Sequence, residues 1–416
     1  MNRLAGYQIG GGVIVADNTD FINCRVAVDF APYNNTSPTS YNPMDDLSHF
    51  DNCTFKVDDS YPDQANTPFK SHVRMNRVKG VKFRACAFSN EQTNKVFSDP
   101  ALNMAIHALD AGFYVQGTCD VPTTVGYPCS GNLTPCSFNG FYTGIYTTGA
   151  NNTKAVQINQ CEFSNNIFGM TIDQQPNVNV TYSDFEVGTC DISGYTGDNI
   201  VGIQIKNSTG YLIEQNKFEE SASPNYASVG VHLVDASDED NNEIYKNYFD
   251  GLGNGILAEG KNRNSQISSN GLQLLCSEFQ STSVNDIFVK KSDASSSDEH
   301  GIRVNQGNPN NSVSAGNKFT PLTNQSMEKN LRNESYIPFN YFYKNISSLF
   351  YPNAIYGGVA RTQANYQSGC PSHLEDGIGF SLEPEKHALV KADFVVANTA
   401  YYNLYYNYLQ QIDDGN

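Results

Sequence analysis

Apolar positions in this chain recur in short, punctuated runs. A Phe stands two places after a small residue that is usually a hydrogen-bonding one: Thr19 before Phe21, Cys53 before Phe55, Cys86 before Phe88, Cys136 before Phe138 and Cys161 before Phe163. The phrase continues with Ser183 and Phe185, Asn216 and Phe218, Asn247 and Phe249, Ser277 and Phe279, and Asn317 and Phe319. Successive Phe lie as few as 22 residues apart (Phe163 to Phe185) and as many as 50 (Phe88 to Phe138). A constant phrase at variable spacing is what a solenoid with loops inserted into single coils produces.

A second phrase joins Gly to alternating residues, as in Gly144-Ile-Tyr146, Gly169-Met-Thr-Ile172, Gly202-Ile-Gln-Ile205, Gly230-Val-His-Leu233, Gly255-Ile-Leu257 and Gly301-Ile-Arg-Val304. Alternation is the period of a strand, with the apolar positions facing the axis. The Gly is expected to supply the unusual φ of a tight corner. Asn- and Asp-rich turns separate the strands.

The position two before each Phe has its own physics. Equivalent residues in stacked coils lie about 4.8 Å apart. Inward Cys53, Cys86, Cys136, Cys161, Ser183, Asn216, Asn247 and Asn317 can hydrogen-bond to their own backbone and to the next copy, forming an internal ladder that satisfies polar atoms where the coil bends. Parallel Cβ vectors on neighbouring rungs are poor geometry for a disulfide, so Cys53 and Cys86 are expected to be reduced.

The pattern predicts an all-β chain: a right-handed parallel β-helix of about ten coils over residues 1–320. After Phe319 the phrase stops. Residues 321–385 are rich in Tyr, Asn and Phe, as in Tyr336-Ile-Pro-Phe-Asn-Tyr-Phe-Tyr343, and read as a cap over the last coil or as a sugar-stacking platform. From 386 to 416 the spacing of Tyr401, Leu404, Tyr405, Tyr408 and Ile412 predicts an amphipathic helix that begins a truncated downstream region.

Composition agrees with a thin axial core. Hydrophobic residues make up 39% and mean hydropathy is −0.45, while 24 Phe and 25 Tyr argue against disorder. The 416 residues carry a net charge of −17 with no basic cluster, which repels phosphate backbones and excludes nucleic acid as a partner. No run of apolar residues is long enough to span a membrane, and Met1–Gly12 lacks the basic and apolar regions of a secretory signal. Both ends read as cut from something longer. Ten Cys lack zinc spacing; Cys119, Cys129 and Cys136 crowd one Pro/Gly/Ser-rich insertion where a disulfide would staple a loop, and Cys370 is expected to pair upstream.

Over residues 10–320 the repeat resembles the parallel β-helix proteins of the pectate-lyase-like superfamily, which also holds alginate and chondroitin lyases, polygalacturonases and many surface proteins. More narrowly, Gly-Gly-Gly-Val-Ile-Val-Ala-Asp-Asn-Thr-Asp-Phe-Ile-Asn at 10–23, Ser-Gly-Cys-Pro-Ser at 368–372 and the closing Ile412-Asp-Asp-Gly-Asn resemble long secreted proteins of Bacteroidetes. That resemblance implies an extracellular or cell-surface location. It implies little about activity, because the fold hosts many.

Chemistry on a β-helix is sought where outward side chains of adjacent coils converge. The outward place in the Gly phrase reads His107, Tyr146, Thr171, Gln204, His232, Leu257 and Arg303. Tyr146, Gln204, His232 and Arg303 in one column are candidate carbohydrate ligands, through stacking and bidentate hydrogen bonds; the plain alternative is that outward positions are simply polar. Asp235, Asp238, Glu239 and Asp240 share one turn and are the candidate calcium ligands, the alternative being solvated surface; no other cofactor is expected. His300-Gly-Ile-Arg303-Val faintly echoes polygalacturonase elements, but no paired carboxylates accompany it. Nucleophile elbows and phosphate loops are missing. No catalytic residue is assigned. The sequence therefore reads as an exported, non-catalytic binding or spacer module for a polysaccharide or surface partner. The alternatives are a lyase or glycosidase acting on acidic polysaccharide, and a pure scaffold.

Overall fold

The computed structural model describes residues 13–374, except 33–45, 63–66, 94, 96–102, 122–128, 150–153, 191–194, 196, 198, 237–241, 265–266, 268, 293–299 and 323–328. The helix expected over 386–416 lies outside the described residues. The chain divides into two compact units. One comprises Met1–Thr123 with Pro128–Cys370; the other comprises Thr124–Tyr127 with Pro371–Asn416, of which 371–374 are described. Every described strand belongs to the first unit.

That unit is a right-handed parallel β-helix. Each coil contributes one strand to each of three sheets, of nine, nine and eleven strands, all paired in parallel. Leu212–Glu214, Lys217–Glu220 and Ala227–Val234 make one such coil. Between the first and second strands the chain turns through one left-handed residue, such as Gln215 at φ 57°, Tyr182 at 49° or Lys246 at 54°. A side chain at positive φ costs about 1 kcal/mol or more, so something must hold it.

The adjoining rung residue does so. Ser183 N–H donates to Asn216 Oδ1 (3.0 Å), Asn216 N–H to Asn247 Oδ1 (2.9 Å), Asn247 N–H to Ser277 Oγ (3.2 Å), and Ser277 N–H to Asn317 Oδ1 (2.8 Å). Asn216 Nδ2 donates inward to Val180 O and Asn247 Nδ2 to Ile213 O, both at 2.8 Å. Toward the N-terminus thiols take the same place: Cys86 N–H donates to Cys136 Sγ (3.1 Å), and the Cys53, Cys86 and Cys161 thiols donate to Asp51, Arg84 and Asn159 O. These Cys are free and buried.

Two positions on from each rung, the Phe side chains form a single file. Consecutive rings from Phe21 to Phe279 stack face to face with centroids 4.5–5.0 Å apart. Burying each ring contributes roughly 2–3 kcal/mol, and the ring pairing adds about 1. Phe319 is looser at 6.3 Å, and Tyr341 meets it edge-on at 5.4 Å in place of another stacked ring. The phrase stops there, but parallel pairing does not stop at residue 320. Lys329–Glu334 and then Ile355–Gly357 extend the third sheet, and Phe339–Tyr343 pairs in parallel with Val359–Gln363. Leu331 and Ile355 continue the inward aliphatic column of Ile203, Val231, Ile256 and Ile287, which needs no Phe phrase to persist.

The glycines of the second phrase correct the sequence reading. Gly144, Gly169, Gly202, Gly230 and Gly255 lie inside third-sheet strands, and none has positive φ. Their role is space. A Cβ on Gly230 would lie 2.7 Å from Gly255 O and 2.7 Å from the Phe249 ring, so the column admits the Phe file against its backbone. Equivalent rungs hold His72 and Ala105 earlier in the stack and Asp286 and Asn330 later.

Candidate functional site: the outer face of the third sheet

In third-sheet strands the residue at the glycine place and the aliphatic residue after it both face the interior, and the residue that follows them points outward. Register places Arg74, His107, Tyr146, Thr171, Gln204 and His232 on successive rungs. Leu257, Phe288, Arg332 and Tyr356 continue the same column. The file from Arg74 to Tyr356 is about 43 Å long at the usual strand spacing.

Of the sequence candidates, Tyr146, Gln204 and His232 share this column. Arg303 does not. The third-sheet strand before it in the chain is Asn285–Lys290, with Asp286 at the glycine place and Phe288 at the outward place. Gly301–Ile302 instead pairs with Lys261–Asn262, and Gly301 is a true corner at φ 137°. Arg303 thus falls beside the first sheet, its Nη1 donating to Gln273 Oε1 at 2.8 Å. His300 is buried in the preceding turn, its Nδ1 accepting from Ser292 N–H at 3.3 Å. The calcium candidates cannot be compared as a set. Asp235 Oδ1 accepts the Lys261 N–H at 2.7 Å, a turn-closing bond, while Asp238, Glu239 and Asp240 lie outside the described residues.

The column has three chemically distinct stretches. At one end the His107 ring meets Tyr146 edge-on at 5.5 Å. Burial and then the charges of Arg74 and Lys70 lower the His107 pKa, so it is a neutral ring at neutral pH. Burial and the Asp173 charge raise that of the Tyr146 hydroxyl, which stays protonated.

In the middle, Gln204 Nε2 lies 3.4 Å from His232 Nδ1, His232 Nε2 lies 3.2 Å from Glu259 Oε2, and Lys290 Nζ sits 3.1 Å from the same oxygen. The bond from His232, assisted by Lys290, holds the Glu259 carboxyl below its usual range against partial burial. Next to this polar chain runs an apolar strip outside the main core: Val201, Val229 and Leu257, flanked by Phe168 and Phe288.

At the far end the Arg332 guanidinium stands over Phe288 at 4.5 Å and Tyr356 at 5.6 Å. Its Nε donates to Glu334 Oε1 at 2.9 Å, and a fixed planar cation between two rings presents flat surface and N–H edges together. Phe288, Arg332 and Tyr356 escape the sequence reading because their strands lack the Gly phrase. The alternation in Ile287-Phe288-Val289 and Leu331-Arg332-Asn333 was the available signal.

Two disulfides are formed, Cys119–Cys129 and Cys276–Cys370. Around Cys119, Asp120 and Cys129 is the only group of three metal-ligand side chains gathered among the described residues. No helix there is long and apolar enough to cross a membrane. No curated protein matches the chain. Residues 64–265, the coils that carry Arg74 through Leu257, match the family described as periplasmic copper-binding protein (NosD), and this stretch is similar to that family.

Proposed function

We propose that this chain is an exported, non-catalytic β-helix module that binds a linear carbohydrate along the outer face of its third sheet. The observation that carries the reading is the outward file of one side chain per rung, in which five rings, the Gln204 amide and a stacked guanidinium stand with Thr171 and Leu257 between them. Its spacing of about 4.8 Å is comparable to the advance of one pyranose, so a polymer can meet the file unit by unit. Rings, His232 among them, offer flat faces to sugar C–H surfaces, and Gln204 and Arg332 offer donors and acceptors to hydroxyls. The periplasmic description of the similar family supports export.

That description also names copper. Among the described residues, the one group gathered like a metal site, Cys119, Asp120 and Cys129, does not fit it. Cys119 and Cys129 are joined to each other, and the ladder thiols of Cys53, Cys86 and Cys136 are buried with their pKa raised, by burial in Cys53 and Cys136 and first by the Cys136 bond in Cys86. Both ring nitrogens of His232 face protein partners. Soft thiolate or open imidazole sites are what copper would require.

The test is a glycan array with the wild type and a Tyr146→Ala, Gln204→Ala, His232→Ala variant. The variant is expected to lose the signal while keeping its circular dichroism spectrum; equal binding by both proteins removes this face from consideration. A second reading, a lyase or glycosidase, rests on Glu162 and Asp184. They are adjacent on the second sheet's outer face, both pushed up by partial burial and Glu162 also by Asp184. New reducing ends or unsaturated-uronide absorbance from pectin or alginate would establish it over the binding reading.

A further inference from the structure

We infer that the polymer taken by the third-sheet face is an uncharged polysaccharide, selected by charges that cancel within the face itself. This rests on the third-sheet reading above and adds the chemical class of its ligand.

Two outward columns carry the charges. One is the file, read from Asp29 beside Arg74 to Tyr356. The other stands two residues further along each strand. Its first rungs are uncharged, and Asp173, Lys206, Val234, Glu259, Lys290 and Glu334 follow on successive rungs. Asp29, Asp173, Glu259 and Glu334 therefore face Arg74, Lys206, Lys290 and Arg332, so the two columns sum to zero in a chain of net charge −17. The column on the other side of the file is uncharged from Val26 to Asn285 and meets Lys329 at its last rung. The cancellation is local. On the second sheet's outer face, the rungs from Glu162 to Glu278 also hold Asp184, Glu186, Glu219 and Asp250, against Lys217 alone.

Pairing holds the third-sheet charges in place. Arg74 Nη1 lies 3.6 Å from Asp29 Oδ2, Lys290 Nζ 3.1 Å from Glu259 Oε2, and Arg332 Nε 2.9 Å from Glu334 Oε1. A ligand carboxylate could take one of these cations only by displacing its acid, which would then stand uncompensated. It would also approach against the field of the whole chain. A ligand ammonium gains from that field anywhere on the molecule and most at the second sheet, so this face does not select it. Sugar hydroxyls need no such exchange. They donate to the acids and accept from the cations while each pair stays formed. The rings at the near end are uncharged too, His107 as a neutral imidazole and Tyr146 as a protonated phenol at neutral pH.

The experiment is isothermal titration of the full chain with three β-1,4-linked hexasaccharides: cellohexaose, hexaglucuronate and the glucosamine hexamer. Cellohexaose is expected to bind, its affinity changing less than about twofold when salt is raised tenfold. Hexaglucuronate is expected to bind at least about tenfold more weakly at low salt. Any binding of the glucosamine hexamer is expected to vanish with salt and to survive Tyr146→Ala. Asp173→Asn and Glu186→Gln each remove one negative charge, the first from this face and the second from the second sheet. Asp173→Asn alone is expected to strengthen hexaglucuronate binding, by about threefold, the worth of one charge at this range in water. Should that variant not fold, the wild-type comparisons still decide. Hexaglucuronate binding as tightly as cellohexaose, a cellohexaose affinity that falls steeply with salt, or equal gains from the two variants overturns the inference. So does glucosamine-hexamer binding that Tyr146→Ala abolishes. In each of these cases loss of binding in Tyr146→Ala leaves the face a glycan site of another class. No binding by any hexamer also overturns the inference, and the glycan array then decides whether the third-sheet reading falls with it.

Discussion

Asp286 occupies the rung where five neighbouring coils carry Gly, and replacing it by Asn is the sharpest test of how this column works. The side chain is 1% exposed. Its carboxylate accepts from Thr320 N–H (3.0 Å), Thr320 Oγ1 (2.7 Å) and Asn330 Nδ2 (2.8 Å). Burial outweighs these bonds and pushes the pKa from 3.8 up to about 6. The folded protein therefore holds this proton more tightly than the unfolded chain does. The stability it contributes is fully present below pH 3.8 and is lost as pH rises through 6, a span worth about 3 kcal/mol.

Asn is neutral at every pH and nearly the same shape, with Oδ1 able to accept from Thr320 N–H and Asn330 Nδ2 while its amide donates to the Thr320 hydroxyl. Wild type minus Asp286→Asn should then fall by about 2 kcal/mol between pH 4 and pH 7, whatever the two proteins share. The assay is urea unfolding across that range, joined by amide exchange at Ile287 and Leu331, because a solenoid need not open as one unit. A difference independent of pH, or one of opposite slope, would refute the account of the buried carboxyl.

His72 stands on the same column near the other end and should behave in the opposite sense. It is fully buried among Phe55, Phe69, Phe88 and Phe141, donates from Nε2 to Ser89 O (3.1 Å), and burial lowers its pKa from 6.5 to about 4. Its stability contribution is present above pH 6.5 and is lost as pH falls through 4, about 3 kcal/mol, so His72→Leu should shift the acid-unfolding midpoint downward; an unmoved midpoint contradicts this. Gly230→Ala is expected to destabilise by about 3 kcal/mol or more, because the new Cβ meets a backbone oxygen and a ring that stacked neighbours hold in place. A melting temperature equal to wild type would show that the Phe file can yield.

Both the successes and the misses of the sequence have physical causes. The Phe phrase was legible because each coil must supply one ring to a file and one hydrogen-bonding side chain to a ladder, and both demands are local in sequence. Phe218 and Asn216 announce their coil without reference to any other. The same holds for the alternating strand Gly202-Ile-Gln-Ile205.

Which residues meet across coils is a different matter. Loops of unequal length separate the strands, so outward neighbours such as Tyr146 and Thr171, or Leu257 and Phe288, are joined only by pairing register. Because Asp286 stands at a glycine place, the strand Asn285–Lys290 is disguised; the Gly of Gly301-Ile-Arg303 takes its apparent role, and a candidate ligand is assigned to the wrong face. The reason for the glycines was likewise hidden. Sequence suggests conformational freedom, whereas the observed backbone is ordinary and the need is for room beside the rings. The sequence by itself determined the coil, because the forces that shape a coil act within it. The outer file and the place of Arg303 beside the first sheet were decided by tertiary stacking, because only the register between coils sets which side chains stand together.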